Sequence, residues 1–317
     1  MRTVGAMLVA AAGLVAAGCA GNGSGAGRDS VVASFYPLAF VAEQVGGDQV
    51  AITDLTPAGA EPHDLELTPD QVDEILDARV AIVMGNGFQP AVEDAASDRD
   101  GVTVFVLGEL PVDAEGRVVE ESRGTEGEKG EEGEESTAGG DRLDPHVWLD
   151  PVLMRETVVV VANGLVEADP DHAEGYMRRA RALDRRLDEL DAEFESGLAN
   201  CERDAIVTAH EAFGYLADRY GLRQLAIAGV SPDEEPSPAR LAELADLADD
   251  EGVTTIFTET LVSPDVAETL AREAGGLETA VLNPLEGLTD DEVAAADHYF
   301  SVMRDNLAEL RTALGCR

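Results

Sequence analysis

Basic residues are scarce in this 317-residue chain: 22 Lys and Arg stand against 64 Asp and Glu, a formal net charge of −42. That sign argues against nucleic acid and anionic surfaces as partners and raises the local concentration of cations. It also serves plain solubility, so charge alone names no ligand. A phosphate-cradling GxxxxGK[ST] loop is absent, so the chain itself should not hydrolyse ATP. An HExxH helix is absent too, which weighs against a zinc hydrolase. The strand ends are read as lacking aromatic side chains, against an organic solute. Histidines number only five and cysteines three, so each can be weighed in turn.

The N-terminus comes first. Residues 1–18 pair a basic start at Arg2 with an apolar run of small side chains, closing on Ala-Ala-Gly before Cys19. This reads as a secretory signal with a lipoprotein-type cleavage site. The alternative is a transmembrane anchor, but a run of about 16 small residues is short for a span. Cys19 is then the expected lipidated residue, anchoring the chain to the outer face of a bacterial cell membrane. Residues 19–30 are a Gly/Ser tether. Losing the signal removes only Arg2, leaving 21 bases against 64 acids, a charge of −43. Cys201 and Cys316 remain, an even pair that suits one disulfide in an exported chain, with two free thiols as the alternative.

Eight short apolar runs, at 31–35, 50–55, 79–85, 102–107, 204–209, 223–229, 253–258 and 278–283, alternate with segments of helical period. Such runs suit parallel strands buried on both faces, and the alternation predicts an α/β fold. Four runs on each side predict two similar lobes, each a parallel four-stranded sheet flanked by helices, over 31–168 and 201–317. Between them, Leu183, Leu187, Leu190, Phe194 and Leu198 mark one face of a helix within 169–200. Unbroken, it spans about 29 residues and about 43 Å and joins the lobes as a stiff backbone. The alternative is two helices broken near Gly175. Residues 113–142 hold 11 acids and 4 bases with almost no large apolar side chain, the composition of a disordered insertion.

His172 and His298 fall in helical segments and read as ordinary. His63, His146 and His210 share a different position, each after a strand-like run. In open parallel sheets ligands bind beyond the carboxyl ends of strands. Three imidazoles there, two from one lobe and one from the other, can converge in the cleft between lobes. Neutral imidazole suits zinc and neighbouring transition metals, and a fourth donor completes a tetrahedral site. Glu259 is the expected fourth, since a carboxylate binds zinc better than an amide, with Asn283 or water as alternatives. Glu61 and Glu211, beside the histidines, are candidates to support them.

The stretches PAGAEPHDLELTPDQ, DPHVWLDP, TAHEAFGYLADRYGL and IFTETLVSPDVAETLAREAG resemble the solute-binding proteins of bacterial zinc and manganese ABC transporters, the ZnuA/TroA-like family. The likeness runs over most of the chain. It implies metal ligands at His63, His146 and His210, and a histidine at the last of these points to the zinc branch. The family often places Asp where Asn283 stands. Zinc members often carry a His-rich insertion before DPHVW, where this chain has a Glu-rich one. The expected function is capture of Zn²⁺ outside the membrane, as a monomer, and delivery to an ABC permease, with manganese as an alternative cargo. A zinc hydrolase or a metal-stabilised surface adhesin is the alternative of another class.

Overall fold

The computed structural model describes residues 29–113, 117–120, 143–295 and 298–317. The signal, Cys19, most of the tether and most of the acidic segment lie outside them.

The first sheet is built from β1 (Asp29–Ala33), β2 (Val50–Asp54), β3 (Val80–Val83) and β4 (Val102–Phe105). Helices α1 (Tyr36–Gly46), α2 (Pro69–Asp77), α3 (Pro90–Ser97) and the short α4 (Val106–Glu109) connect and flank them. Two long helices follow, α5 (Pro151–Ala168) and α6 (Ala173–Leu198). The second sheet holds β5 (Ala205–Thr208), β6 (Arg223–Ala226), β7 (Thr255–Thr258) and β8 (Glu278–Val281). Its helices are α7 (Gly214–Tyr220), α8 (Pro238–Asp250), α9 (Asp265–Glu273), α10 (Asp290–Ala295) and α11 (Tyr299–Leu314).

All strand pairs are parallel, and the sheet orders β2-β1-β3-β4 and β6-β5-β7-β8 follow the same plan. In each, the chain turns back between the first and third strands, which opens a crevice at their carboxyl ends. All eight expected strands form. The central strands β3, β5 and β7 are buried throughout, whereas β6 and β8 are largely exposed or half-buried. The edge strands therefore depart from the two-faced burial expected of every run, because one flank of an edge strand has no neighbour.

Helix starts follow local chemistry. Thr68, Asp150 and Ser237 cap α2, α5 and α8 by accepting backbone N–H bonds, and a proline opens each of the three helices. The expected helix over 169–200 is shorter than its outline. Pro170 to His172 form a tight 3₁₀ turn, and α6 starts at Ala173 and spans 26 residues, about 39 Å at the usual rise. Gly175 lies inside it without breaking it. The stripe Leu183, Leu187, Leu190, Phe194 and Leu198 is buried as read.

Two small cores fill the outer faces of the sheets, and one large core runs between the lobes around α1, α5, α6 and α11. There Phe40 stacks on Tyr299 at 5.3 Å, and Arg186 covers the Phe300 ring at 4.0 Å. Across the lobes, the Arg219 guanidinium of α7 pairs with buried Asp150 at the head of α5 at 2.5 Å. Cys201 and Cys316 form a disulfide that joins the end of α6 to the end of α11. The described flank of the acidic segment is packed rather than loose: Val118 is buried and bridges Val112, and Arg117 pairs with Asp113. Among the described residues no helix is long and apolar enough to cross a membrane.

Candidate metal centre

His63 sits in the loop after β2, where its backbone N–H donates to Glu61 Oε1 at 3.1 Å. His146 opens the helical turn Val147–Leu149 that leads into α5. His210 lies two residues past the end of β5, and its carbonyl accepts from Thr208 Oγ1 and Gln224 Nε2. The three rings converge, with centroids 5.1–6.1 Å apart. His146 and His210 are fully buried.

The atom at their centre belongs to a residue that the sequence reading did not weigh. Glu286 Oε1 lies 3.1 Å from His63 Nε2, 3.1 Å from His146 Nε2 and 3.2 Å from His210 Nε2. His146 Nε2 and His210 Nε2 are 3.3 Å apart, and the four donor atoms all lie within 4.8 Å of one another. Ligands about 2.0–2.1 Å from a tetrahedral zinc stand about 3.3–3.4 Å from each other. The group is therefore close to the size of such a site.

Glu259, the expected fourth donor, is not in this group. Its Oε1 accepts from His210 Nδ1 at 2.7 Å, on the far side of the ring. The physical reason is the length of the chain beyond β7: Glu259 is the first residue past the strand and backs onto His210, whereas the loop after β8 reaches into the cleft. Asp144 plays the same part for His146, accepting from Nδ1 at 2.7 Å. Both carboxylates hold an Nδ1–H and so leave each Nε2 facing the centre. The Asp-x-His spacing in DPH could have revealed Asp144. Asn283 is also outside the group, with both ends of its amide hydrogen-bonded nearby. Glu211 contacts none of the three rings; its N–H donates to the Gly229 carbonyl, and it lines a cavity of about 940 Å³ between the lobes beside His63. His172 is bonded to Asp169 and His298 heads α11, so neither joins the centre.

Aromatic side chains do reach the site, contrary to the reading of the strand ends. The Phe88 ring is 4.6 Å from His63 and the Trp148 ring 5.1 Å from His146, while Phe35 packs on both aromatics. Phe88 arrives from the loop after β3 and Trp148 from the helical turn Val147–Leu149, and together they make one wall apolar.

Charge is tightly balanced. Burial opposes a proton on His210, but the Glu286 charge and the bonds from Glu259 and Glu286 outweigh it and raise its pKa to about 10. His146 is likewise raised against its burial, chiefly by Asp144 and Glu286. Burial favours a neutral Glu286, yet the His210 charge and the bonds from all three histidines hold its carboxyl well below the usual range. The histidines and the carboxylate thus stabilise one another's charged forms. Burial raises Glu61, at the rim, to about 7.

Two similar α/β lobes closing on a buried cluster of donors define a binding protein of the two-lobe, cleft-site class. Over residues 31–313 the sequence matches the family model described as the periplasmic component A of the zinc-uptake complex. The chain belongs to that family. It is 36% identical over 98% of its length to the high-affinity zinc uptake system protein ZnuA of Bacillus subtilis, covering 97% of that protein. It is 35% identical over 98% of its length to the zinc-binding lipoprotein AdcA of Streptococcus pneumoniae, of which it spans 61%. The Zn(II)-bound ZnuA-like domain of AdcA superposes with a TM-score of 0.72, at 34% identity, over 91% of this chain and 99% of that domain. The laminin-binding protein Lmb of Streptococcus agalactiae, described as an adhesin with metal-transporting activity, gives 0.76 at 29% identity, over 90% of this chain and 99% of that one.

Proposed function

We propose that this chain captures Zn²⁺ outside the cytoplasmic membrane and delivers it to an ABC-type permease. The observation that carries this reading is the convergence of three Nε2 atoms on one carboxylate oxygen in the buried cleft. His63, His146, His210 and Glu286 act as the four ligands, and Asp144 and Glu259 hold two of the imidazoles from behind. Nitrogen-rich donors favour zinc over manganese, which prefers oxygen. Four protein donors fill a tetrahedral shell and leave no open position for a hydrolytic water, which favours cargo binding over catalysis. Residues 31–168 and 201–317 act as the two jaws and 169–200 as the stiff link, so release uses small lobe shifts and loop motion. The chain works as a monomer, and it is tethered through a lipid on Cys19, the latter supported by the lipoprotein sequence pattern before that residue.

Metal analysis and calorimetry on chelator-stripped protein test the proposal. One tightly held zinc is expected, with at least about tenfold weaker binding in each of His63→Ala, His146→Ala and His210→Ala. Parent-like affinity in all three variants would contradict it. The adhesin likeness supports a second reading, in which metal staples a surface protein. It predicts unfolding on chelation, where the transport reading predicts a folded metal-free form.

A further inference from the structure

We propose that Asn283 is a positioning residue for Glu286, setting zinc affinity without touching the ion. This rests on the assignment of Glu286 as a ligand in the proposed function. Glu286 stands on a loop five residues past the end of β8, where no strand fixes its direction. The residue before it, Leu285, is fully buried and has a φ of +56°. A side chain in that left-handed region raises the backbone energy, so the surroundings must hold the loop there. Asn283 does so. Its Oδ1 accepts from the Leu285 N–H at 2.8 Å, closing a turn over Pro284 that fixes the peptide entering the strained residue.

Asn283 is itself clamped from three sides. Its backbone N–H donates to Asn306 Oδ1 at 2.8 Å, and its carbonyl accepts from Asn306 Nδ2 at 2.7 Å, which pins it to α11. Its Nδ2 donates to Glu292 Oε1 of α10 at 2.8 Å, and the other Glu292 oxygen accepts from the Thr289 N–H at 2.7 Å. Between these anchors, the Pro284 carbonyl accepts from Trp148 Nε1 at 2.7 Å. The same DPHVWLDP stretch that carries His146 thus grips the loop that carries Glu286. The amide of Asn283 is the link between this frame and the twist that aims the carboxylate. Removing it lets Leu285 relax to an ordinary backbone angle, which rotates Glu286 away from the three rings.

A double-mutant cycle on the full protein tests the proposal, with zinc affinity read by chelator competition. Asn283→Ala is expected to weaken zinc binding about 10–100-fold, and to add no further loss in a Glu286→Ala background. Glu292→Ala, which removes the bond to the Asn283 amide from an exposed helix, is expected to give a smaller loss that also vanishes with Glu286→Ala. Losses that persist unchanged in the Glu286→Ala background overturn the proposal, as does parent-like affinity in Asn283→Ala. If Asn283→Ala fails to fold, Glu292→Ala decides alone, and parent-like affinity there overturns it. A parent protein that binds no zinc, or that ignores loss of the histidines, would instead refute the metal site itself.

Discussion

Glu259 Oε1 accepts the Nδ1–H of His210 at 2.7 Å, which places the carboxylate behind the imidazole and leaves Nε2 to face Glu286. In the proposed site Glu259 therefore orients His210 and does not itself join the donor group. Glu259→Gln should weaken zinc binding by about 10–100-fold, the usual effect of losing a ligand's hydrogen-bond partner, while keeping one zinc per chain. Glu286→Ala should weaken it more. Calorimetry on the two variants checks the order, and a larger loss at Glu259 would reverse the roles.

Zinc capture should release protons well above the usual histidine range. The His210 pKa is raised to about 10, so in the metal-free protein this ring is protonated at neutral pH. Zinc needs it neutral and must displace the proton. The sign follows: apparent affinity rises with pH until His210 titrates freely, by up to about tenfold per pH unit for each proton released. An ordinary histidine would place this dependence at about pH 6–7; the Glu286 and Glu259 carboxylates move it higher. Calorimetry in buffers of different ionisation enthalpy counts the protons. Release of none at about pH 7.5 would count against the His210 assignment.

The lobes are latched by Arg219 and Asp150. Burial raises the Asp150 pKa to about 6 even though the Arg219 charge and hydrogen bond and two backbone N–H groups oppose it. Folded Asp150 thus holds its proton more tightly than the unfolded chain does, and its ionised form weighs on stability above about pH 6. Arg219→Ala strips the charge partner and should destabilise the metal-free protein by about 3 kcal/mol at about pH 8, the low end for an orphaned buried charge because the guanidinium is partly open to water. Lowering the pH protonates Asp150, so the deficit should shrink at about pH 5. Urea unfolding at both conditions measures it.

Reduction of the Cys201–Cys316 bond should lower stability but spare zinc affinity. The bond spans 115 residues of sequence, for which the chain-entropy model gives an upper estimate of about 4–5 kcal/mol. Backbone bonds from Glu202 and Arg203 to Leu314, and from Arg317 to Asn200, already clamp the same junction, so the measured loss should fall below that limit. Thermal unfolding and zinc titration, with and without reductant, separate the two effects.

The strands were legible because their inner members are continuous apolar runs, such as VAIV at β3 and AIVT at β5. The three histidines were legible because only five exist to compare and two of them, His63 and His210, lie in loops that follow strands; His146 instead opens the helical turn before α5. Glu286 was not. It is one of 64 acids, and its placement depends on a left-handed Leu285 and a distant Asn306, neither of which local pattern encodes. Glu259 drew attention because it directly follows β7, yet that closeness is what turns it toward the back of His210. The 3₁₀ turn over Pro170–His172 was not legible because proline is equally at home in the first turn of an α-helix.

X-ray absorption at the zinc edge, on protein loaded with one equivalent at neutral pH, tests the central claim most directly. A four-coordinate ion with three imidazole nitrogens and one carboxylate oxygen is expected, with loss of the carboxylate in Glu286→Ala. Zinc that shows fewer imidazoles, or an environment unchanged by Glu286→Ala, would contradict it.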